Sequence, residues 1–406
     1  MIQTNENDSD IPDIIRMIHD SPYRIVLAIT GGGTESIGEL LRYGRGSDTI
    51  LEAIVPYSKE SLDNFIGKEP LRYASTDTAR DMAMSAYRHA LYLNSMAEKN
   101  NHENLIGIGV TCKLARITNE RQGRQHEIQF ASQSYLKTTS SSLFFKENTS
   151  REEQEKIATE FIIENIASIC NPDEKLQYSM LKKEMLKELI KDEAEAELPL
   201  AELLLKTLEN INSEKNVQPL KIDLGINDNE PRIIFSGSFN PCHTKHIEMA
   251  KIAADKYKEP VNFEISLANV DKPPIDYISL KKRINSLLKY REGKYMGNIF
   301  LTNSPLFAEK AILFPNSIFL IGTDTLNRLF NEKYYRNGED KQSLLKHFHK
   351  YNIRFMVFRR NNADIDMDME IPDICDLVPL DRYADDGTSS TMIRKKRREK
   401  CSDHVI

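Results

Sequence analysis

The segment RIIFSGSFNPCHTKH, residues 232–246, constrains the fold of this chain more than any other stretch. Its apolar beginning predicts a short buried strand, and Gly237 predicts a tight turn before a helix that runs to Tyr257. A strand, a glycine turn and a helix in that order place backbone N–H groups and a helix N-terminus beside one pocket, where polyanions are stabilised. The segment therefore predicts a phosphate-binding α/β fold in the C-terminal half.

Two histidines, His243 and His246, lie three residues apart at the start of this helix. Their imidazoles therefore project from one face, where both can donate hydrogen bonds to the oxygens of a triphosphate. A zinc site is the alternative interpretation of the pair. It is disfavoured because no clear set of further Cys, His or carboxylate ligands accompanies the two residues.

A second phosphate-binding element is predicted at GTSSTMIR, residues 387–394. Ser389 or Ser390 can serve as an ordinary helix N-cap. Arg394, one helical turn further on, adds a fork of donors aimed at the same anion. The basic run RKKRREK that begins there could also contact nucleic acid, but a basic helix beside a phosphate site explains it better.

GSFNPxHxxH followed by SSTxIR resembles the signature pair of nucleotidyltransferases with HxGH and SSTxxR-type motifs. Within that superfamily, the segment is most similar to nicotinamide mononucleotide adenylyltransferases and their cytidylyltransferase-like relatives. IGTDT, FEISLANVDKPP and IRFMVFRR resemble three further segments of the same family.

The resemblance implies attack by a mononucleotide phosphate on the α-phosphate of ATP, with release of pyrophosphate. Mg²⁺ would bridge the phosphate oxygens as the cofactor, with no side-chain metal ligand. The implied catalytic residues are His243, His246 and Arg394. The implied ATP-binding residues are Gly237, Ser238, Phe239, Asn240, Lys272, Ser389, Ser390 and Thr391. The implied mononucleotide-binding residues are Gly322, Thr323 and Asp324.

Two departures from the family pattern leave the acceptor open. Lys245 stands where the family has a glycine, and the chain has no tryptophan to stack on a nicotinamide ring. Phe330, Tyr334 or Tyr335 could replace that tryptophan. The alternatives are nicotinate mononucleotide, a phosphopantetheine or a phosphorylated alcohol as acceptor, CTP as donor, and a non-catalytic nucleotide sensor.

The N-terminal half also alternates strand-like and helix-like segments, which predicts a second α/β domain. Strands are expected at residues 23–30, 49–56, 105–111 and 127–132. Helices are expected at residues 35–43, 75–97, with Thr76 or Asp77 as N-cap, and, after a Ser/Thr-rich loop, 151–169.

Thr30-Gly-Gly-Gly-Thr34, Tyr57 and the segment Gly107–Thr111 resemble, in order and spacing, a CinA C-terminal domain, the family of nicotinamide mononucleotide deamidases. The family's serine nucleophile would fall at Ala28 and its lysine at Leu62. The resemblance thus implies a degenerate site, marked by Thr30, Tyr57 and Thr111. The alternative is a bifunctional protein with a working deamidase, in which Lys59 or Lys113 replaces the missing lysine.

A length of 406 residues favours two domains. The predicted organisation is a polar segment (1–21), a CinA-like domain (22–170), a connector of two amphipathic helices broken near Pro199 (171–230) and a Rossmann-like nucleotidyltransferase domain (231–406). No apolar run is long enough to span a membrane, and the N-terminus lacks the features of a signal peptide.

Five scattered cysteines indicate reduced thiols and a cytoplasmic location, and a net charge of −6 argues against nucleic acid as the main partner. The expected partners are ATP and a mononucleotide. Neither nucleic acid nor a membrane is expected as a partner. A homo-oligomer is compatible with the sequence.

Overall fold

The computed structural model describes residues 11–97, 101–117, 123–171, 185–209, 218–226, 232–269, 273–331, 340–360 and 371–403, the last of these without side chains beyond 396. The chain forms two compact units. The N-terminal unit comprises Met1–Ala201 with Asp271–Ile278, and the C-terminal unit comprises Glu202–Val270 with Ser279–Ile406. Each unit contains one sheet with helices, which confirms the predicted class of two α/β domains.

The N-terminal unit is built on a six-stranded sheet in the order β2-β1-β3-β4-β5-β6. The first three of these strands are parallel and the others antiparallel. Its elements are α1 (Ile11–Asp20), β1 (Arg24–Thr30), α2 (Glu35–Arg42), α3 (Gly46–Thr49), β2 (Ile50–Ile54), α4 (Lys59–Ile66), α5 (Thr76–Met96), β3 (Leu105–Lys113), β4 (Glu127–Gln133), β5 (Lys137–Phe145), α6 (Arg151–Cys170) and β6 (Leu186–Glu195).

Two glycines set how closely α5 packs on this sheet. A Cβ on Gly107 would lie 2.1 Å from the backbone N of Tyr87, and one on Gly109 would lie 2.2 Å from the backbone O of Ala79. Real side chains never come so close, so the helix and strand β3 meet backbone to backbone. The other face of the sheet joins α1 and α6 in the main apolar core.

Three expectations for this unit need correction. Residues 11–20 are not part of a polar segment but form α1, because Ile14, Ile15 and Ile18 are buried in the core. The predicted Ser/Thr-rich loop contains strand β5, whose polar side chains find partners within the sheet, as in the bond from Ser142 Oγ to Gln129 Oε1. The N-cap of α5 is Ser75, whose side chain accepts from the backbone of Thr78.

The described part of the predicted helical connector, 171–230, contains one helix and two strands instead of two helices. Residues 186–195 form β6, which pairs antiparallel with β5, and Lys137 forms ion pairs with Glu193 and Glu195. Pairing with the open edge of β5 thus overrides the helical preference of a Glu- and Lys-rich segment. Pro199 does not break a helix. It lies in the first turn of α7 (Leu198–Glu209), where a missing N–H is tolerated.

The C-terminal unit contains a seven-stranded sheet in the order β13-β12-β11-β8-β9-β10-β7. All pairs are parallel except that of β7 with β10. After α7, its elements are β7 (Leu220–Ile222), β8 (Ile233–Ser236), α8 (Thr244–Tyr257), β9 (Val261–Ser266), α9 (Tyr277–Leu288), β10 (Met296–Thr302), α10 (Phe307–Leu313), β11 (Ile318–Gly322), α11 (Thr323–Leu329), α12 (Lys341–Lys350), β12 (Arg354–Phe358), β13 (Cys375–Leu377) and α13 (Ser390–Asp403).

Counted from β8, the parallel strands have the order 3-2-1-4-5-6 of a doubly wound Rossmann sheet. The order reverses between β8 and β11, and ligands of such sheets bind outside the carboxyl ends of the strands at that point. The added edge strand β7 lies within the predicted connector, so the sheet begins before the predicted boundary at residue 231.

Candidate nucleotide-binding site

The carboxyl ends of β8 and β11 carry two of the predicted site segments. Strand β8 leads into the turn at 237–243, and β11 leads through Gly322 into α11. The two strands are hydrogen-bonded neighbours, so both segments leave the sheet at the point where its strand order reverses. This topology places the candidate site.

The turn after β8 is hydrogen-bonded to its neighbours. Gly237 donates its N–H to the backbone O of Glu264 on β9 at 3.0 Å. Ser286 Oγ on α9 accepts from the N–H of Cys242 at 2.9 Å and donates to the backbone O of Phe239 at 3.2 Å. Phe239 has a φ of 41°, which is strained for an aromatic residue, and its buried ring packs edge-on against Phe235.

The two histidines form the N-terminus of α8. His243 is its N-cap, and its backbone N–H donates to Nδ1 of His246 at 3.2 Å. Because Nδ1 of His246 accepts, the proton of the neutral ring lies on Nε2, which is then free to donate. The ring centroids are 3.7 Å apart.

Burial keeps both imidazoles neutral near pH 7. It lowers the pKa of His243 to about 4, with a further contribution from the positive charge of Arg360. The pKa of His246 is also well below its usual range because of burial, and His243 and Arg360 lower it further. His243 is only 4% exposed, yet neither of its ring nitrogens has a hydrogen-bond partner among the described residues. Buried polar atoms usually have partners, so an imidazole without one needs an explanation, and a bound ligand would provide it.

The C-terminal motif lies directly against this turn. Ser390 Oγ donates to the backbone O of Pro241 at 2.9 Å, and Arg394 Nη1 donates to the backbone O of Asn240. Arg394 Nη2 also donates to Oγ1 of Thr391 at 3.0 Å. Ser389 is the N-cap, since its Oγ accepts from the N–H of Met392 at 3.2 Å. The structure therefore brings the two distant motifs into contact.

Arg360 joins these segments although the sequence does not assign it a role. Its backbone N–H donates to Oγ1 of Thr323 at 3.0 Å, and its Nε lies 3.8 Å from Oδ1 of Asp324. Asp324 also pairs with Arg328 at 3.0 Å. In the sequence, only the basic end of IRFMVFRR pointed to Arg360. Its position beside the histidines depends on the pairing of β12 with β11.

A buried ion pair below the turn is also missed by the motifs. Glu264 is fully buried and accepts from Ser236 Oγ at 2.5 Å, Thr302 Oγ1 at 2.6 Å and Lys310 Nζ at 2.7 Å. Ser236 immediately precedes Gly237. The network therefore ties the ends of β8, β9 and β10 together directly beneath the glycine turn.

Some predicted residues are not tested by the geometry. Lys272, Tyr334 and Tyr335 lie outside the described residues. Phe330 is half-buried, and its ring faces Lys341 Nζ, 5.5 Å from the centroid. Ser238 is exposed, and its backbone O accepts from Arg283 Nη1 at 3.3 Å.

In the N-terminal unit, Thr30 and Thr111 are buried and lie opposite each other on β1 and β3. Thr111 Oγ1 donates to the backbone O of Tyr73 at 3.0 Å. Tyr57, the third predicted residue of this site, is largely exposed. Ala28 and Leu62 lie in one buried apolar cluster with Ile66 and Met82.

The described residues contain neither a metal-binding cluster nor a membrane-spanning helix. Within these ranges, no three His, Cys, Asp or Glu side chains are grouped so that they could hold a metal ion. None of the helices described combines the length and the apolar character that crossing a bilayer requires.

The C-terminal part of the chain is similar to a known family. Residues 234–396 match the model of the family described as Cytidylyltransferase-like. This part of the chain is therefore similar to cytidylyltransferase-like domains of the nucleotidyltransferase superfamily. No curated protein gives a significant match to the chain.

Solved structures of CinA-superfamily proteins resemble the N-terminal part. The one from Enterobacter cloacae is 14% identical, with a TM-score of 0.32, over 42% of this chain and 99% of that one. The one from Escherichia coli is 13% identical, with a TM-score of 0.29, over 41% of this chain and 94% of that one. The competence/damage inducible protein from Agrobacterium tumefaciens is 16% identical, with a TM-score of 0.23, over 32% of this chain and 78% of that one.

Proposed function

We propose that the C-terminal unit is an adenylyltransferase that joins ATP and nicotinamide mononucleotide to give NAD and pyrophosphate. The observation that carries the proposal is the contact of Ser390 and Arg394 with the turn that leads to the unpartnered His243. The family match supports nucleotidyl transfer. The choice of adenosine and nicotinamide rests on the resemblance of the sequence motifs.

In this proposal the triphosphate lies between the start of α8 and the start of α13. Neutral His246 donates from Nε2, and His243 offers a second N–H, so both stabilise negative charge as pyrophosphate leaves. Arg394 supplies a fixed positive charge from the other side. No side-chain nucleophile is needed, because positioning and charge stabilisation suffice for this transfer.

Mg²⁺ is proposed to accompany the phosphates of ATP and to neutralise their charge. Side chains that would hold the ion independently of the nucleotide are not grouped within the described residues. Lys272 remains a proposed phosphate ligand outside those residues.

The acceptor is proposed to lie at the start of α11. Gly322, Thr323 and Asp324 would contact it there, and the guanidinium of Arg360 would attract its phosphate. A side chain on Gly322 would block this approach, since a Cβ there would lie 2.5 Å from Oδ1 of Asp324 and 3.2 Å from Nε of Arg360.

We propose that the deamidase-like site of the N-terminal unit is inactive. The positions that would hold the serine and the lysine are Ala28 and Leu62, which lie in the same apolar cluster. The N–H of Gly33 in the glycine turn is already bonded to Oε2 of Glu155 at 2.6 Å. The purified chain should therefore release no ammonia from nicotinamide mononucleotide. Release at the rate of a working deamidase would refute this part of the proposal.

A panel of nucleotides and acceptors tests the adenylyltransferase. The full chain is incubated with Mg²⁺, either ATP or CTP, and nicotinamide mononucleotide, nicotinate mononucleotide or a phosphopantetheine, and pyrophosphate is measured. We expect the fastest release with ATP and nicotinamide mononucleotide, and none from a His246→Ala variant. The match to cytidylyltransferase-like proteins makes CTP the second candidate donor. A preference for CTP would refute the choice of donor, and no release with any pair, despite measured ATP binding, would refute the transfer.

A further inference from the structure

Lys245 is an unusual residue at the start of α8. It lies in the first helical turn, between the two histidines, where the HxGH motif has a glycine. A positive charge is disfavoured there, because the N-terminus of a helix is itself the positive end of the helix dipole. The side chain is nevertheless only 12% exposed. Its presence requires partners that compensate for this position.

Those partners lie on α8 and on the segment 383–386. Lys245 Nζ donates to Oε2 of Glu248 and to the backbone O of Ala384, both at 2.8 Å. It also lies 3.9 Å from Oδ2 of Asp386 and 5.4 Å from the centroid of the Tyr383 ring. The hydrogen bond to Glu248, together with its charge and those of nearby aspartates, raises the pKa of Lys245 despite some desolvation. The ammonium is therefore charged at neutral pH.

The segment 383–386 is anchored at one end and leads to the second motif at the other. The buried ring of Tyr383 packs edge-on against Phe358 at the end of β12, 5.1 Å between centroids. Oδ1 of Asp386 accepts from the N–H of Thr388 at 2.9 Å, and the chain then reaches Ser389, the N-cap of α13. One ammonium thus joins the helix that bears the histidines to the segment that bears the hydroxyls and Arg394.

We propose that Lys245 is a positioning residue that holds these two phosphate-binding segments against each other before the nucleotide binds. The proposal rests on the adenylyltransferase activity proposed above. Without the ammonium, segment 383–394 keeps its contacts through Tyr383, Ser390 and Arg394 but loses the link to α8, so the nucleotide must supply part of its ordering. That cost applies equally to the ground state and the transition state, so it raises KM for ATP and leaves kcat almost unchanged.

The test compares Lys245→Met with Lys251→Met. Lys251 lies on the same helix, and the contact described for it is with the ring of Tyr295, 5.2 Å away. We expect Lys245→Met to raise KM for ATP about tenfold with kcat within about twofold, as expected for loss of uniform binding. Lys251→Met should leave both constants unchanged, and Lys245→Arg should restore most of the affinity.

Hydrogen–deuterium exchange of the ligand-free chain separates this proposal from the activity on which it rests. We expect faster exchange of the amides in 383–394 in Lys245→Met than in the native chain, and no change in Lys251→Met. This readout does not require the protein to be an adenylyltransferase. Unchanged exchange would overturn the positioning role, and with a raised KM it would mean that Lys245 contacts the nucleotide directly.

Discussion

The hydroxyl of Ser390 donates to the carbonyl of Pro241 at 2.9 Å, which joins residues 149 positions apart. This bond places the start of α13 against the turn that precedes α8. The parallel contact of Arg394 with the backbone O of Asn240 shows that the two segments meet at more than one point. Neither motif alone presents both imidazoles and a guanidinium, so the proposed anion site requires this contact between two distant segments.

Arg394→Ala should reduce kcat/KM for ATP by about 10²–10³-fold, as expected for loss of one positioned donor to developing charge. Lys396→Ala is the matched control, because Lys396 is an exposed cation on the same helix. Steady-state kinetics with both variants measures the difference. Equal effects would mean that general positive charge, rather than the placement of Arg394, matters.

Acidification should destabilise the protein through His243. The pKa of His243 is about 4 in the folded chain, whereas an unperturbed histidine has a pKa of 6.5. Between these pH values the unfolded chain therefore binds more protons than the folded chain. The contribution of the neutral, buried imidazole to the free energy of unfolding is therefore fully present above pH 6.5 and is lost as the pH falls through 4. The expected loss is on the order of 1–3 kcal/mol. Urea unfolding across this range should show a shallower decline for His243→Asn, and an identical decline would contradict the account.

Lys310→Met should destabilise the C-terminal unit by about 3–5 kcal/mol, because it leaves the carboxylate of Glu264 buried without its cation. Adding Glu264→Gln should recover most of the loss, since the remaining groups are then neutral. The exposed pair of Arg232 with Glu259 is the control, and Arg232→Met should cost about 0–1 kcal/mol. Chemical unfolding measures all three, and no recovery in the double variant would argue against an electrostatic cause.

Gly107→Ala should destabilise the N-terminal unit by about 1–3 kcal/mol or more, because the new Cβ would collide with the backbone of α5. Gly38→Ala is the opposite case. Gly38 lies within α2 with no heavy atom within 4 Å of the added Cβ, so the change should stabilise the helix by roughly 0.5–1 kcal/mol. Thermal unfolding that shifts in the same direction for both variants would contradict the packing described for α5.

Local spacing explains which elements were predictable. The strand, turn and helix around Gly237 follow from neighbouring residues, as does α5, whose apolar positions recur at helical spacing. Strand β6 does not, because its Glu and Lys residues favour a helix until the open edge of β5 offers hydrogen bonds. Pairing between distant segments contributes energy that no local pattern contains.

Pairing between distant segments also limits how much of the candidate site could be predicted from the sequence. His243 and Arg394 are candidate residues because each lies in a motif that is contiguous in the chain. Arg360 and the pair of Glu264 with Lys310 could not be predicted in this way. They lie near the turn only because of the order of β8, β9, β11 and β12 in the sheet.

Transfer of labelled phosphate tests the central claim most directly. The full chain is supplied with nicotinamide mononucleotide, Mg²⁺ and ATP labelled at either the α- or the γ-phosphate. A single triphosphate site formed by the histidines and Arg394 predicts the α-label in the dinucleotide and the γ-label in pyrophosphate, with both products lost in His246→Ala. Appearance of the γ-label as inorganic phosphate, or transfer that persists in the variant, would contradict it.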